Sequence, residues 1–375
     1  MTAEQTEAAD PARVMFAYLG RRGPMSRFTL EAMQAARFLP DVAATAFVSR
    51  QNENFAALAE FGAHCVGVDT FQRGSGALLA AWRIPALRRT LAAEIRRHKI
   101  DVVIELMPHI WSLALTSVIR GTGARYATIV HDVSAHPGDA TALVNSVLGM
   151  AAVQADRVIT LSTAVTAQLR ARRRVAPDKI MTLFLPDLTF GPPPARPPRA
   201  TDAPLRLLFL GRIVPYKGLG LFVDAVETLR RNGIPVEAGV FGEGDISVER
   251  GRLQALGAET ANQWLSDDEI AAVLARHDVV VVSHIEASQS AVIATAFGAG
   301  LPVIATPVGA LPEQVAHGVT GLIAEAASAE ALAATITRLA LDPGLYRALC
   351  EGVRARRDQG SMQRFVHECS RIARE

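Results

Sequence analysis

The stretch 278–306, "DVVVVSHIEASQSAVIATAFGAGLPVIAT", decides how the chain reads. An apolar run over 278–282 breaks into a polar turn that carries Glu286, Ser288, Gln289 and Ser290. A helical pattern follows, and Gly300-Leu301-Pro302 leads into a second apolar run. Continuous apolar residues without polar alternation mark a parallel strand covered on both faces. Strand, polar turn, helix and strand make a βαβ unit. If Ser288, Gln289 and Ser290 open the helix, free backbone N–H groups and hydroxyls stand at the strand end as an anion site. Glu286 beside them would repel a phosphate and instead suits hydrogen bonds from sugar hydroxyls. The plain alternative is a capped helix with an exposed glutamate.

The same alternation extends in both directions. Upstream, "LRLLFLG", "VEAGVFG" and "DVVVVSH" read as strands, with helical patterns at 218–233 and 266–277 between them. Ser266 and Glu269 form a capping-box pair at the start of the second helix. Nearer the N-terminus, "RVMFAYLG" (13–20), "DVAATAFVS", "AHCVGVD", "DVVIELM", "ARYATIVHD" and "DRVITLS" read as another strand series, with helices at 26–39, 83–98 and 142–153. The proline-rich stretch 186–204 separates the two series, because proline lacks the donor that a strand or helix interior needs. The expected organisation is an N-terminal domain over 1–185, a linker over 186–204 and a C-terminal domain over 205–375, whose last helix is a candidate to pack back on the first domain. The fold class is α/β: two doubly wound, Rossmann-like domains facing a cleft, with ligands at the carboxyl ends of the strands.

With 375 residues, half of them hydrophobic, the chain can build two cores. A net charge of +2 argues against a dedicated nucleic-acid binder. The charge is uneven: residues 1–185 hold 21 basic and 15 acidic residues, and residues 186–375 hold 18 and 22. A basic first half fits an anionic acceptor or an anionic membrane surface, or a solvated face. Cys65, Cys350 and Cys369 show neither metal spacing nor a disulfide framework, which suits a reducing cytoplasm. The opening "MTAEQTEAADPA" is too polar for a signal peptide, and no apolar run approaches the ~18 residues of a membrane span. The expected location is cytoplasmic, with peripheral contact at the inner face of a membrane.

Three further segments carry chemistry. In "FLGRIVPYKGLGL" (209–221), Gly211 leaves a strand, and Arg212 and Lys217 stand at a strand-to-helix turn, a pairing suited to a diphosphate or simply to solvent. In "VFGEGD" (240–245), Gly242 and Gly244 permit close backbone approach to a ligand or make a plain turn; the Glu243-x-Asp245 pair reads as part of that turn, not as a metal site. In "ATIVHDVSAHPGD" (127–139), a strand ends at His131-Asp132, with His136–Asp139 following. His109 reads as structural. Arg21, Arg22 and Arg27 follow the first strand and could meet a phosphate-bearing acceptor or solvent. Helix 82–100 carries Arg88, Arg89, Arg96, Arg97 and Lys99, as membrane-docking helices do.

Gly211-Arg212, Lys217-Gly218, Gly242-Glu243-Gly244, Glu286, Gly300-Leu301-Pro302-Val303, Gly309-Ala310-Leu311-Pro312-Glu313 and Gly318-Val319-Thr320-Gly321, in this order, resemble the family 4 retaining glycosyltransferases of GT-B fold, of the bacterial polysaccharide and lipopolysaccharide type. The resemblance is strong over 205–325 and looser before. It implies a nucleotide-sugar donor on the C-terminal domain, Arg212 and Lys217 on the diphosphate, Glu286 with Ser288–Ser290 on sugar and phosphate, and His131 near the donor sugar. The family's loop has two glutamates with seven residues between them, the second gripping the ribose; that position here is Thr295, and Glu286 sits one residue too far away. The implied activity is transfer of a hexose to a saccharide or lipid-linked saccharide with retention. No acidic metal motif stands out, so no metal and no cofactor beyond the nucleotide-sugar co-substrate are expected. The alternatives are a GT-B nucleotide-sugar epimerase and a non-catalytic nucleotide-sugar-binding scaffold.

Overall fold

The computed structural model describes residues 10–71, 76–133, 149–192 and 203–375. The His136–Asp139 segment, the first part of the helical pattern at 142–153, most of the linker and the acidic start lie outside the described residues.

Two parallel sheets form. The first contains Ala12–Tyr18 (β1), Val42–Ser49 (β2), Cys65–Val68 (β3), Val102–Glu105 (β4), Arg125–Val130 (β5), Arg157–Thr160 (β6) and Ile180–Thr182 (β7), in the order β3-β2-β1-β4-β5-β6-β7. The second contains Leu205–Leu210 (β8), Val236–Phe241 (β9), Glu259–Ala261 (β10), Val279–Val282 (β11), Val303–Ala305 (β12) and Gly321–Ile323 (β13), in the order β10-β9-β8-β11-β12-β13. The central strands are buried along their length, which is why they read as unbroken apolar runs. Each sheet has a hydrophobic cluster on either face, the two-sided cover of a doubly wound domain. The strand order reverses between β1 and β4 and between β8 and β11, and the crevice beyond those strand ends is where such sheets bind ligands.

Helix Asp267–Arg276 starts with the expected capping box of Ser266 and Glu269. Asp245 Oδ1 accepts the Ser247 N–H at 2.9 Å, so the Glu243-x-Asp245 pair belongs to a turn.

The chain joins the domains at two adjacent places. On the outward pass, Leu188 N–H donates to the Ala294 carbonyl at 3.1 Å, and Asp187 N–H to the Gly360 carbonyl at 2.9 Å. On the return, Arg356 binds the Asp187 carboxylate at 2.9 and 3.1 Å. Burial lifts the Asp187 carboxyl to about 6 against the pull of Arg356. Helix Met362–Ser370 then lies on helix Pro24–Ala36 of the first domain. Met362, Phe365, Val366, Cys369 and Ile372 are buried in the first domain's core. Phe365 meets Phe28 edge to face at 5.1 Å, an orientation aromatic rings favour.

Candidate active site

The two turns leaving β8 and β9 lie against each other. Ile213 N–H donates to the Glu243 carbonyl at 2.8 Å. A Cβ on Gly242, which has φ 146°, would stand 1.9 Å from the Gly211 carbonyl oxygen. The missing side chain of Gly242 is needed for backbone to meet backbone. Gly244 does the same against Ile213.

The Arg212–Gly218 turn is tied to the residues that follow β11. Ser283 Oγ donates to the carbonyls of Gly218 (2.9 Å) and Lys217 (3.2 Å), and Ile285 N–H donates to Tyr216 O at 2.7 Å. Gly218 has φ 67°, and a Cβ there would lie 2.1 Å from the Ser283 carbonyl oxygen. Lys217 is thereby held with its Nζ 3.2 Å from His284 Nε2, which accepts. Burial and the nearby Arg212 guanidinium push Lys217 down to about 8, while the Asp132 carboxylate opposes the shift. Two cations stand together at the strand-order reversal, with a carboxylate of the other domain within their field.

The Glu286 loop meets the N-terminal domain directly. Ser288 Oγ donates to the Asp132 carboxylate, and Ser162 Oγ donates to the Ser288 carbonyl at 3.2 Å. Gln289 Nε2 donates to His131 Nδ1 at 2.9 Å. His131 Nε2 donates in turn to the Leu106 carbonyl at 2.7 Å, because a carbonyl can only accept. Burial holds this imidazole below its usual pKa, so it is a neutral tether with both ring nitrogens engaged. The expected approach of His131 to a donor sugar therefore runs through Gln289 in this arrangement. Ser290 caps helix Ala291–Gly298 by its backbone alone. Its N–H donates to Gln314 Oε1 at 2.7 Å. Among the described residues, the buried Ser290 hydroxyl and Gln289 Oε1 have no hydrogen-bond partner, a state that costs about 1–3 kcal/mol unless another group completes it.

A cavity of about 580 Å³ lies between the domains. Asp132, Gln168 and Arg172 line it from one side, and Glu286, Ser288 and Gly309 from the other. Thr295 is buried within its helix and does not line this cavity. Of the expected acceptor-side arginines, two are committed elsewhere. Arg27 pairs with Glu31 (2.8 Å) and reaches Asp267 of the C-terminal domain (3.3 Å). Arg22 stacks over Trp264, 5.7 Å from the ring centre, and Trp264 Nε1 donates to Glu53 at 3.1 Å. Both arginines thus make contacts between the domains. For Arg21, the carbonyl is fixed by the Glu53 N–H at 2.8 Å.

The sequence reading missed Gln168, Arg172 and a role for Glu313. Glu313 accepts the N–H groups of Thr163 and Ala164, and so holds the helix that carries Gln168 towards the cleft. The available signals were the Pro-Glu pair in the Gly309–Glu313 motif and the arginine run at 172–174.

Comparison with known proteins accords with this geometry. The family described as Glycosyltransferase Family 4 matches residues 31–184, and the one described as Glycosyl transferases group 1 matches residues 204–342. The chain is 28% identical over 156 residues to the amylovoran biosynthesis glycosyltransferase AmsK of Erwinia amylovora, covering 37% of each protein. It is 33% identical over 163 residues to a D-inositol 3-phosphate glycosyltransferase of Actinosynnema mirum, covering 40% of this chain and 39% of that protein. The chain thus spans less than half the length of these curated relatives. The crystal structure of Anabaena Alr3699/HepE with UDP and glucose shares the fold, with a TM-score of 0.69 at 16% identity over 95% of this chain and 97% of that one. The chain belongs to the GT-B glycosyltransferases of the family 4 type.

Proposed function

We propose that the protein moves a hexose from a nucleotide-sugar to a saccharide or lipid-linked saccharide acceptor with retention of configuration and without a metal ion. The observation that carries this reading is the Arg212–Lys217 pair at the strand-order reversal, in a turn bonded to Ser283 and Ile285 next to Glu286, which lines the cleft between the domains. The diphosphate binds at Arg212 and Lys217. The buried Ser290 hydroxyl, without a partner among the described residues, completes its hydrogen bonds on the same ligand. Glu286, exposed on the cavity wall, accepts from sugar hydroxyls.

The reaction is front-face. The bond from the anomeric carbon to the diphosphate oxygen breaks, the acceptor oxygen bonds to the same face, and the acceptor proton passes to the departing diphosphate. Arg212 and Lys217 stabilise the charge that develops on that leaving group, the main electrostatic contribution to rate.

Among the described residues no helix is long and apolar enough to cross a membrane. Membrane contact is proposed through helix Ile84–Arg97, with Arg89, Arg96 and Arg97 exposed on it and Leu79 and Trp82 82% and 73% exposed just before it. Arg88 is excluded from that face, because its Nη1 donates to the Ala114 carbonyl at 2.6 Å.

The test is a panel of nucleotide-sugars incubated with and without saccharide acceptors, with product anomers assigned by NMR and a chelator control. A product of inverted configuration, or activity restored only by added divalent metal, rejects the corresponding part of the proposal. An epimerised donor without transfer rejects the transferase reading itself.

A further inference from the structure

We infer that His284 is a positioning residue for the transfer: its Nε2 holds the Lys217 ammonium where the diphosphate binds, and it acts only through that lysine. This rests on the transferase reading above and assigns a further residue to the same site.

Consecutive residues after strand Val279–Val282 grip the Arg212–Gly218 turn. Ser283 Oγ donates to the Lys217 carbonyl at 3.2 Å, and Ile285 N–H donates to the Tyr216 carbonyl at 2.7 Å. Between them, His284 Nε2 lies 3.2 Å from Lys217 Nζ. Lys217 is thus fixed at both ends, its main chain by Ser283 and its ammonium by His284. His284 is itself fixed. It is buried, and its carbonyl accepts from Thr306 Oγ1 at 2.6 Å. The Tyr216 ring stands 6.2 Å from the imidazole and 5.7 Å from Lys217 Nζ, so the ammonium is flanked by both rings.

An ammonium can only donate, so Nε2 accepts, the imidazole proton sits on Nδ1 and the ring is neutral. A neutral acceptor suits this position. Arg212 repels the Lys217 ammonium, while the Asp132 carboxylate of the N-terminal domain attracts it. A carboxylate in place of His284 would pair with the lysine and compete with the diphosphate for it. An apolar residue there would leave the ammonium to swing towards Asp132. The imidazole does neither: it holds the cation and leaves its charge and remaining donors for the ligand. A lysine side chain loses rotamer freedom when it meets a ligand, and one already held loses less. A cation aimed in advance also needs no reorganisation as charge develops on the leaving diphosphate.

The experiment titrates UDP, GDP and ADP by calorimetry, then carries the tightest forward with its own nucleoside as a competitor. Asparagine ends near the Nδ1 position and falls short of Lys217, whereas glutamine carries an amide oxygen to the Nε2 position. His284→Asn is expected to weaken the diphosphate about fivefold, the scale of one hydrogen bond, and to leave nucleoside affinity unchanged. His284→Gln should recover most of that loss. In a Lys217→Met background, His284→Asn should have no further effect, because the two residues act as one unit. His284→Phe, which keeps a ring and loses the acceptor, replaces His284→Asn should that variant not fold. The proposal falls if the asparagine and glutamine variants behave alike, or if nucleoside and diphosphate weaken together. It also falls if the effect of His284→Asn persists without Lys217. A wild-type protein that binds none of the three diphosphates would instead overturn the transferase reading.

Discussion

The two carboxylate oxygens of Glu313 accept the backbone N–H groups of Thr163 at 2.7 Å and of Ala164 at 2.9 Å, so a side chain of one domain caps a helix of the other. The first N–H groups of a helix have no partner within it, and they carry its positive dipole end. Ser162 Oγ accepts the next one, from Val165, at 3.2 Å. The start of this helix is therefore completed by a side chain from across the cleft. Glu313→Ala should widen the nucleotide-bound enzyme, measured as an increased radius of gyration by solution scattering, and lower kcat/KM. Glu313→Gln, which keeps one acceptor oxygen, should recover part of both. Unchanged scattering and turnover in the alanine variant would show that the cap does not hold the domains together.

The cation pair gives a larger expected effect. Arg212→Ala or Lys217→Ala should lower kcat/KM by at least ~100-fold, about 2.7 kcal/mol of transition-state stabilisation, with the fold retained by circular dichroism. Near-wild-type turnover in either variant would remove its assigned role on the diphosphate.

Lys217 also predicts a pH limit. With its ammonium held down to about 8, kcat/KM should fall as pH rises through about 8, because the free enzyme loses the charge that meets the diphosphate. Bound diphosphate stabilises the ammonium, so kcat should persist to higher pH than kcat/KM. For stability the sign is opposite. Between about 8 and the usual lysine value near 10.4, the unfolded chain binds the proton more readily than the native one, so this group makes stability rise with pH. Lys217→Met should abolish the alkaline limb of kcat/KM. An identical limb in that variant would assign it to another group.

Glu286 and Thr295 should separate. Glu286→Gln should depress turnover of the nucleotide-sugar while leaving affinity for the nucleoside diphosphate nearly intact. Thr295→Val should be neutral or slightly stabilising, since Thr295 is buried within its helix and off the cavity wall. If calorimetry instead shows nucleoside diphosphate binding weakened by roughly 0.5–1.5 kcal/mol in Thr295→Val, its hydroxyl reaches the ribose. Loss of diphosphate binding in Glu286→Gln would make Glu286 the ribose ligand.

At the membrane, binding to vesicles containing anionic lipid should weaken with added salt and in Arg89→Gln/Arg96→Gln/Arg97→Gln. Trp82→Ala should weaken it at any salt concentration. Equal binding to neutral and anionic vesicles, or none to either, would leave these arginines as a solvated face.

The central strands were legible because burial on both faces writes itself as unbroken apolar sequence, as in Val279–Val282. The three-residue strands Ile180–Thr182, Glu259–Ala261 and Gly321–Ile323 were not: they are too short to show a period, and Glu259 and Thr260 are exposed. At the site, Arg212, Lys217 and Glu286 were legible because strand-end turns have a local signature. The contacts that bring the two domains together were not. Ser288 with Asp132, Gln289 with His131 and Glu313 with Thr163 join residues about 150 positions apart, and no local pattern encodes such a meeting. The same holds for Arg22 and Arg27, whose partners Trp264 and Asp267 lie in the other domain.

The return of helix Met362–Ser370 onto helix Pro24–Ala36 has a consequence for biosynthesis. The first sheet is complete once residue 182 has been made, yet the layer that covers Phe28 comes from Phe365. At 5–20 residues per second, roughly 10–35 s of translation separate the two. Throughout that interval the ribosome-bound first domain presents an open apolar strip, and its native core closes only when helix Met362–Ser370 has emerged.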